Sequence, residues 1–237
     1  MEIKVIIPAR NGSKGLPGKN LKILLDKPLI DYSIKTALEI FKPSSIILTS
    51  DSESILERGR EYGIKNILRP KILATDTSPI IDTLLHAIKF SENQFNIKCE
   101  AIILLQPTFP IRNKLEILNA INFFKENNFN SLISVNKMKE NPSECISIFN
   151  KNFDNWKFLI DPKKKTNRQS YEGEHFFING NFYIGRVNAL KKNKSFYSKK
   201  VHFFECEQSY NVDIDDIEDF NYAKYCLLRK INSEKNQ

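Results

Sequence analysis

The chain has 237 residues, 41% hydrophobic and 27% charged, with 36 basic against 28 acidic side chains and a formal net charge of +8. That length suits one domain, or one domain with an insertion, and is enough to bury a substantial core, while no apolar stretch approaches the length of a membrane span. The surplus lysines, such as Lys163 to Lys165 and Lys191, Lys192 and Lys194, have few aromatics among them, so they read as a solvated surface rather than a nucleic-acid face.

In chain order, residues 3–7 are a β-branched run that predicts a buried first strand. Residues 29–40 have apolar side chains at helical spacing, 45–49 read as a strand, and 53–62 as an amphipathic helix with Ser52 as its capping candidate. A helix over 79–90, a continuous buried strand over 101–105, a helix over 115–124 and a strand over 132–135 follow. Alternating β and α segments with nearly all-apolar strands predict a mainly parallel sheet covered on both faces, a Rossmann-like three-layer αβα sandwich. The pattern breaks over 136–175, which holds Asn141-Pro142, the single Trp156 and Asp161-Pro162 and reads as an inserted subdomain within one 1–237 domain. Strands over 176–184 and 200–206 and a helix over 217–229 close the chain, with 232–237 expected to be disordered. The N-terminus enters a strand at once without the layout of a signal peptide. The scattered Cys99, Cys145, Cys206 and Cys226 lack metal-ligand spacing, as reduced thiols of a cytoplasmic protein would.

The loop that follows the first strand, Pro8-Ala9-Arg10-Asn11-Gly12-Ser13-Lys14-Gly15-Leu16-Pro17-Gly18-Lys19-Asn20, is too polar and glycine-rich to pack as core. It offers backbone N–H groups and the cations Arg10, Lys14 and Lys19 to an anion, a triphosphate being the obvious candidate. Gly12, Gly15 and Gly18 are each three apart, so the dinucleotide fingerprint fails, and neither Lys14 nor Lys19 is followed by the Ser or Thr of a P-loop. Open parallel sheets bind ligands at the carboxyl ends of their strands. The loops at 8–20, Ser50-Asp51, Gln106-Pro107-Thr108 and Asn136-Lys137 are therefore expected to converge on one rim.

Asn211-Val212-Asp213-Ile214-Asp215 places two carboxylates two apart on an extended segment, so both face one way, as a Mg²⁺ site requires. The competing reading is helix capping, in which Asp215 or Asp216 starts the helix and Glu218 and Asp219 favour its first turn. Gln106-Pro107-Thr108-Phe109-Pro110-Ile111-Arg112 ends a buried strand; Gln106 reads equally as a ligand amide or as part of a rigid turn. Arg168 could clamp a carboxylate or lie free on the surface. His86, His175 and His202 share no spacing with cysteines or carboxylates that suggests zinc or a nucleophile–base pair, and His86 reads as partly buried structure.

Together these segments resemble the acylneuraminate cytidylyltransferases, the CMP–sialic acid synthetases and their legionaminic and pseudaminic acid relatives. The likeness runs nearly end to end: Ile7-Pro8-Ala9-Arg10-x-Gly12-Ser13-Lys14-Gly15 with Lys19-Asn20, Ser50-Asp51, Arg69-Pro70, Leu105-Gln106-Pro107-Thr108, Arg168-Gln169, Asn179-Gly180 with Tyr183, and Val212-Asp213-Ile214-Asp215. The resemblance implies a fold of the nucleotide-diphospho-sugar transferase type and transfer of CMP from CTP to the anomeric hydroxyl of a nonulosonic acid, for surface glycan assembly. Lys14, Lys19, Asp213 and Asp215 would be catalytic, with Mg²⁺, or Mn²⁺ in its place, on Asp213 and Asp215. Ala9, Arg10, Asn11, Gly12, Ser13, Lys14, Lys19, Asn20, Asp51 and Arg69 would hold the nucleotide. Gln106, Pro107, Thr108, Arg168, Gln169, Asn179 and Tyr183 would line the sugar pocket. It also implies a cytoplasmic homodimer in which 136–175 reaches the partner's site, with no nucleic-acid or membrane partner.

Asn11, Phe109 and Glu144 depart from the family pattern, where Gly, Ser and Lys are common, and these departures are expected to touch sugar identity more than reaction type. The Asn179-Gly180-Asn181-Phe182-Tyr183 segment is closer to sialic or legionaminic acid enzymes than to the pseudaminic branch. The 3-deoxy-octulosonic acid cytidylyltransferases are the nearest rival; they typically carry Ser-Thr-Arg in the first loop. A non-catalytic nucleic-acid-binding protein would use the net charge but leaves the paired aspartates unexplained.

Overall fold

Alternate residues of the first strand, β1 (Ile3–Pro8), feed two different cores: Ile3, Val5 and Ile7 face one layer and Ile6 the other. That alternation sets the architecture of this computed structural model, which describes residues 1–151, 154–160, 173–207 and 210–235. After β1 come a short hairpin, β2 (Ile23–Leu24) and β3 (Lys27–Pro28), then α1 (Leu29–Leu38), β4 (Ile46–Ser50), α2 (Glu53–Glu61) and β5 (Lys65–Leu68). Next are α3 (Ile80–Gln94), β6 (Ala101–Leu104), α4 (Lys114–Glu126), β7 (Ser131–Lys137) and a second hairpin, β8 (Ile146–Ile148) with β9 (Trp156–Phe158). The chain returns through β10 (Phe176–Arg186), α5 (Val187–Asn193) and β11 (Val201–Glu205) to α6 (Ile217–Lys235).

The central sheet has seven strands in the order β11-β7-β10-β6-β1-β4-β5. Only β10 opposes the rest: it pairs antiparallel with β6 and with β7, while the other neighbours pair parallel. The carboxyl ends of β1, β4, β5, β6, β7 and β11 therefore share one edge, and β10 enters at that edge. Helices α1, α2 and α4 bury Ile30, Ile34, Ile55, Leu56, Ile117 and Phe124 against one face. Helices α3 and α5 bury Leu84, Ile88, Val187 and Leu190 against the other. Each such side chain taken out of water contributes on the order of 1.5–3 kcal/mol, so the sheet is held from both sides. The three-layer sandwich expected from the sequence is present.

Four local expectations change. β5 and α5 were not foreseen, because each is short and carries a weak period. Ser52 occupies the position before α2 but makes no cap; its hydroxyl pairs with that of Ser54 at 2.8 Å. Residues 232–235 continue α6 instead of fraying. The last helix packs Phe220, Ala223, Cys226 and Leu227 into a third core with Leu16, Leu24, Leu29, Val212 and Ile214. That core binds the end of the chain to the loop that follows β1. The β8–β9 hairpin pairs only with itself, outside the central sheet.

Candidate active site

Four segments at the carboxyl edge enclose a cleft of about 450 Å³ whose walls include Arg10, Lys14, Lys19, Arg69, Gln106 and Asp213. The first loop is anchored at its base, where Ala9 N–H donates to the Thr49 carbonyl at 3.0 Å. Asp51 Oδ1 accepts from the Asn11 N–H at 3.0 Å, and the buried Asn20 amide donates to the Arg10 carbonyl at 2.7 Å. Asp51 thus fixes the loop from behind. Asn11 has no left-handed backbone, so side chain and glycine are equally acceptable there. Gly18, at φ +66°, starts the 3₁₀ turn Lys19–Leu21 that inserts Lys19 into the protein.

The buried Lys19 ammonium donates to the Ile214 carbonyl and lies 3.4 Å from Asp215 Oδ1. It thereby ties the first loop to the 211–215 segment. That segment is extended, with Val212 and Ile214 in the third core and Asp213 and Asp215 exposed on the cleft side. Gly15 lies against the Asp215 backbone so closely that a Cβ would overlap its carbonyl group. The constraint on Gly15 is thus its approach to Asp215. Gly12 has open space around it.

Asp213 is open to the cleft, yet the protein surrounding it raises its pKa, and Asp215 pushes the same way. A hydrogen bond to Thr108 and the charges of Lys19 and Arg112 oppose that rise. Two hard carboxylates that repel one another on one wall of a cleft suit a divalent cation that also takes substrate oxygens. Asp216 and Asp219 have a different role. Asp216 Oδ1 accepts from the N–H groups of Glu218 (2.8 Å) and Asp219 (3.0 Å), and Asp219 Oδ2 accepts from Asp215 (2.9 Å) and Asp216 (3.2 Å). This reciprocal box caps α6.

The Gln106–Thr108 loop is tied to both neighbours. Ile214 N–H donates to the Thr108 carbonyl at 2.8 Å. The buried Arg112 guanidinium donates to the Gln106 carbonyl (2.7 Å), the Asn181 carbonyl (2.9 Å) and Ser33 Oγ (2.8 Å). Phe109 is buried beneath that guanidinium, its ring 5.5 Å away. Phe109, one of the departures expected to touch sugar identity, packs inside the protein and does not line the cleft. Arg69, on the opposite wall, is buried and donates to Thr83 Oγ1 at 3.2 Å, while its Nε has no partner among the described residues. Burial holds Arg69 below its ordinary pKa. His86, further along α3, lies within electrostatic reach of Arg69; burial first, then Arg69, lowers its pKa, and its Nδ1 has no partner among the described residues.

Of the expected site residues, Arg10, Ser13, Lys14, Lys19, Asn20, Arg69, Gln106, Pro107, Thr108, Asp213 and Asp215 meet in this cleft. Asn179 and Tyr183 do not line it. The buried Asn179 accepts from Ser134 Oγ (2.6 Å) and Asn181 N–H (2.9 Å) and donates to Asn136 Oδ1 (2.6 Å), bracing the bulge of β10. Gly180 sits there at φ +77°, its Cα facing Asp213. Tyr183 packs toward Phe196, and burial pushes its phenol up to about 12. Arg168 and Gln169 lie outside the described residues. The sequence reading missed Asp76, which bridges Arg10 (2.5 Å) and Lys14 (2.8 Å) on the cleft wall. Its signal was the polar run Thr75-Asp76-Thr77-Ser78 that follows Arg69-Pro70. Arg112 was visible as the cation closing a proline-rich turn, but its burial was not.

A mostly parallel seven-stranded sheet covered by helices on both faces, with its cleft at the carboxyl edge, is the architecture of the Rossmann-like nucleotide-sugar transferase type. Residues 4–235 match the cytidylyltransferase family model, and the chain belongs to that family. It is 36% identical to the CMP-N,N'-diacetyllegionaminic acid synthase of Legionella pneumophila, over 99% of each chain. It is 32% identical to the N-acylneuraminate cytidylyltransferase of Escherichia coli, covering 99% of this chain and 54% of that longer protein. A CMP:2-keto-3-deoxy-manno-octonic acid synthetase solved with CTP shares the fold at a TM-score of 0.72 and 15% identity, over 97% of this chain and 100% of that one.

Proposed function

We propose that this enzyme transfers CMP from CTP to the anomeric hydroxyl of a nonulosonic acid, N-acetylneuraminic or legionaminic acid, with release of pyrophosphate. The observation that carries the reading is the meeting, in one cleft, of the cations Arg10, Lys14 and Lys19 with the carboxylates Asp213 and Asp215. Arg10, Lys14 and the N–H groups of residues 12–14 bind the triphosphate and stabilise charge on the departing pyrophosphate. Arg69 and Asn20 hold the nucleoside side, and Gln106 with Thr108 faces the sugar. Asp213 and Asp215 would hold Mg²⁺, or Mn²⁺ in its place, which when bound neutralises phosphate oxygens and lowers the pKa of an attacking hydroxyl. Lys19 fixes the relative placement of phosphate loop and carboxylates.

The sugar carboxylate is assigned to Arg168 and Gln169 by the family resemblance. We further propose a homodimer built on the inserted 136–175 subdomain. Ile146, Trp156, Phe158, Leu159 and Ile160 are all exposed there, and a large exposed apolar patch on a monomer marks an interaction surface. Among the described residues no helix is long and apolar enough to cross a membrane, and the four cysteines are free thiols; we place the enzyme in the cytoplasm, beside its CTP.

The test is pyrophosphate release with CTP and Mg²⁺ against N-acetylneuraminic, legionaminic, pseudaminic and 3-deoxy-octulosonic acids. Turnover with one of the first two is expected. Release from none of the four would sink the assignment, and preference for either of the last two would move it to that branch.

A further inference from the structure

Asp76 places one carboxylate oxygen on each of two phosphate-binding cations: Oδ1 on Arg10 Nη1 at 2.5 Å and Oδ2 on Lys14 Nζ at 2.8 Å. A phosphate bridging the same two groups would make the same pair of contacts. The other cations of the cleft are engaged elsewhere, Lys19 with Ile214 and Asp215 and Arg69 with Thr83. The carboxylate is not needed to hold its own loop. Ser78 Oγ donates to the Ile72 carbonyl at 2.6 Å, Thr75 N–H donates to Ser78 Oγ at 3.2 Å, and the Thr75 and Ser78 hydroxyls pair at 2.6 Å. Those bonds form the turn and present Asp76 to the cleft.

We propose that Asp76 is a built-in competitor of phosphate: it occupies Arg10 and Lys14 until the triphosphate displaces it, and it reclaims them as pyrophosphate departs. The proposal rests on the reading of this cleft as the CTP site. Both cations hold Asp76 below the ordinary carboxylate range, so it stays anionic at neutral pH. An alternative role, in which Asp76 orients Arg10 and Lys14 for the substrate, predicts the opposite sign. Under competition, removing the charge tightens anion binding; under orientation, removing it weakens binding.

Calorimetric titration of pyrophosphate and of CTP, with Mg²⁺ and without sugar, into wild type, Asp76→Asn and Asp76→Glu separates the two. Asp76→Asn is expected to bind pyrophosphate about three- to tenfold more tightly, the scale of two exposed ion pairs. That gap should narrow between about 0.05 and 0.5 M salt as screening grows, and Asp76→Glu should bind like wild type. Equal or weaker pyrophosphate binding by Asp76→Asn overturns the proposal while leaving the CTP reading intact. A wild-type protein that binds neither CTP nor pyrophosphate overturns the CTP reading, and this proposal with it.

Discussion

Gly15 and Asp215, from opposite ends of the chain, lie backbone against backbone, with no room for a Cβ between them. This contact and the Lys19 bond to Ile214 hold the loop after β1 and the 211–215 segment as one unit. The two halves of the cleft are thereby held in register, and a glycine makes that register attainable.

Gly15→Ala should therefore separate the two halves. The added methyl meets backbone, which yields little, and overpacking of this kind costs about 1–3 kcal/mol. The denaturation midpoint and the pyrophosphate-release rate should both fall. Gly12→Ala is the stability control, expected within about 0.5 kcal/mol of wild type, since nothing lies near its Cα. Equal midpoints for the two variants would contradict the packing argument.

The aspartates around residue 215 divide by role. Asp213→Asn should leave the midpoint nearly unchanged and reduce kcat by about a hundredfold or more, since even groups that only orient metal ligands cost 10–100-fold. Asp216→Ala should lose about 1 kcal/mol of stability through its cap, with a much smaller effect on turnover. An Asp213→Asn enzyme with an unchanged rate refutes the metal assignment.

His86 should make the protein acid-sensitive. Burial lowers its folded pKa, so below the ordinary imidazole value of about 6.5 the unfolded chain binds more protons than the folded one. Stability is then complete above that value and declines as pH falls below it. Replacing His86 with Gln should flatten the acid side of a plot of Tm against pH from about 7.5 to 5. Parallel curves for the two proteins would show that His86 is not the group responsible.

The exposed apolar hairpin predicts the oligomeric state. Light scattering should give a dimer mass for wild type and a monomer mass for Phe158→Glu, because a carboxylate buried in an apolar interface is costly. A wild-type monomer at micromolar concentration would remove the dimer from the model of function.

Much of the sandwich was legible because buried parallel strands are continuous apolar runs and their helices repeat at 3.6 residues. The strands at 3–7 and 101–105 needed nothing else. β5 escaped because Lys65–Leu68 is four residues long with two exposed side chains. The extension of α6 escaped because Asn232 to Lys235 is polar all round.

By itself the sequence offered an anion-binding loop and two paired carboxylates, and its end-to-end resemblance to the acylneuraminate cytidylyltransferases supplied the reaction. Arg10, Lys14 and Lys19 in a glycine-rich loop, and Asp213 and Asp215 two apart on an extended segment, carry their charge and spacing locally. Tertiary structure decided what each group faces. It turned Asn179, Tyr183 and Phe109 inward, gave Gly15 its neighbour, and brought Asp76 onto Arg10 and Lys14. Such pairings depend on which loops the sheet order brings together, and no local pattern of charge or hydrophobicity encodes that order.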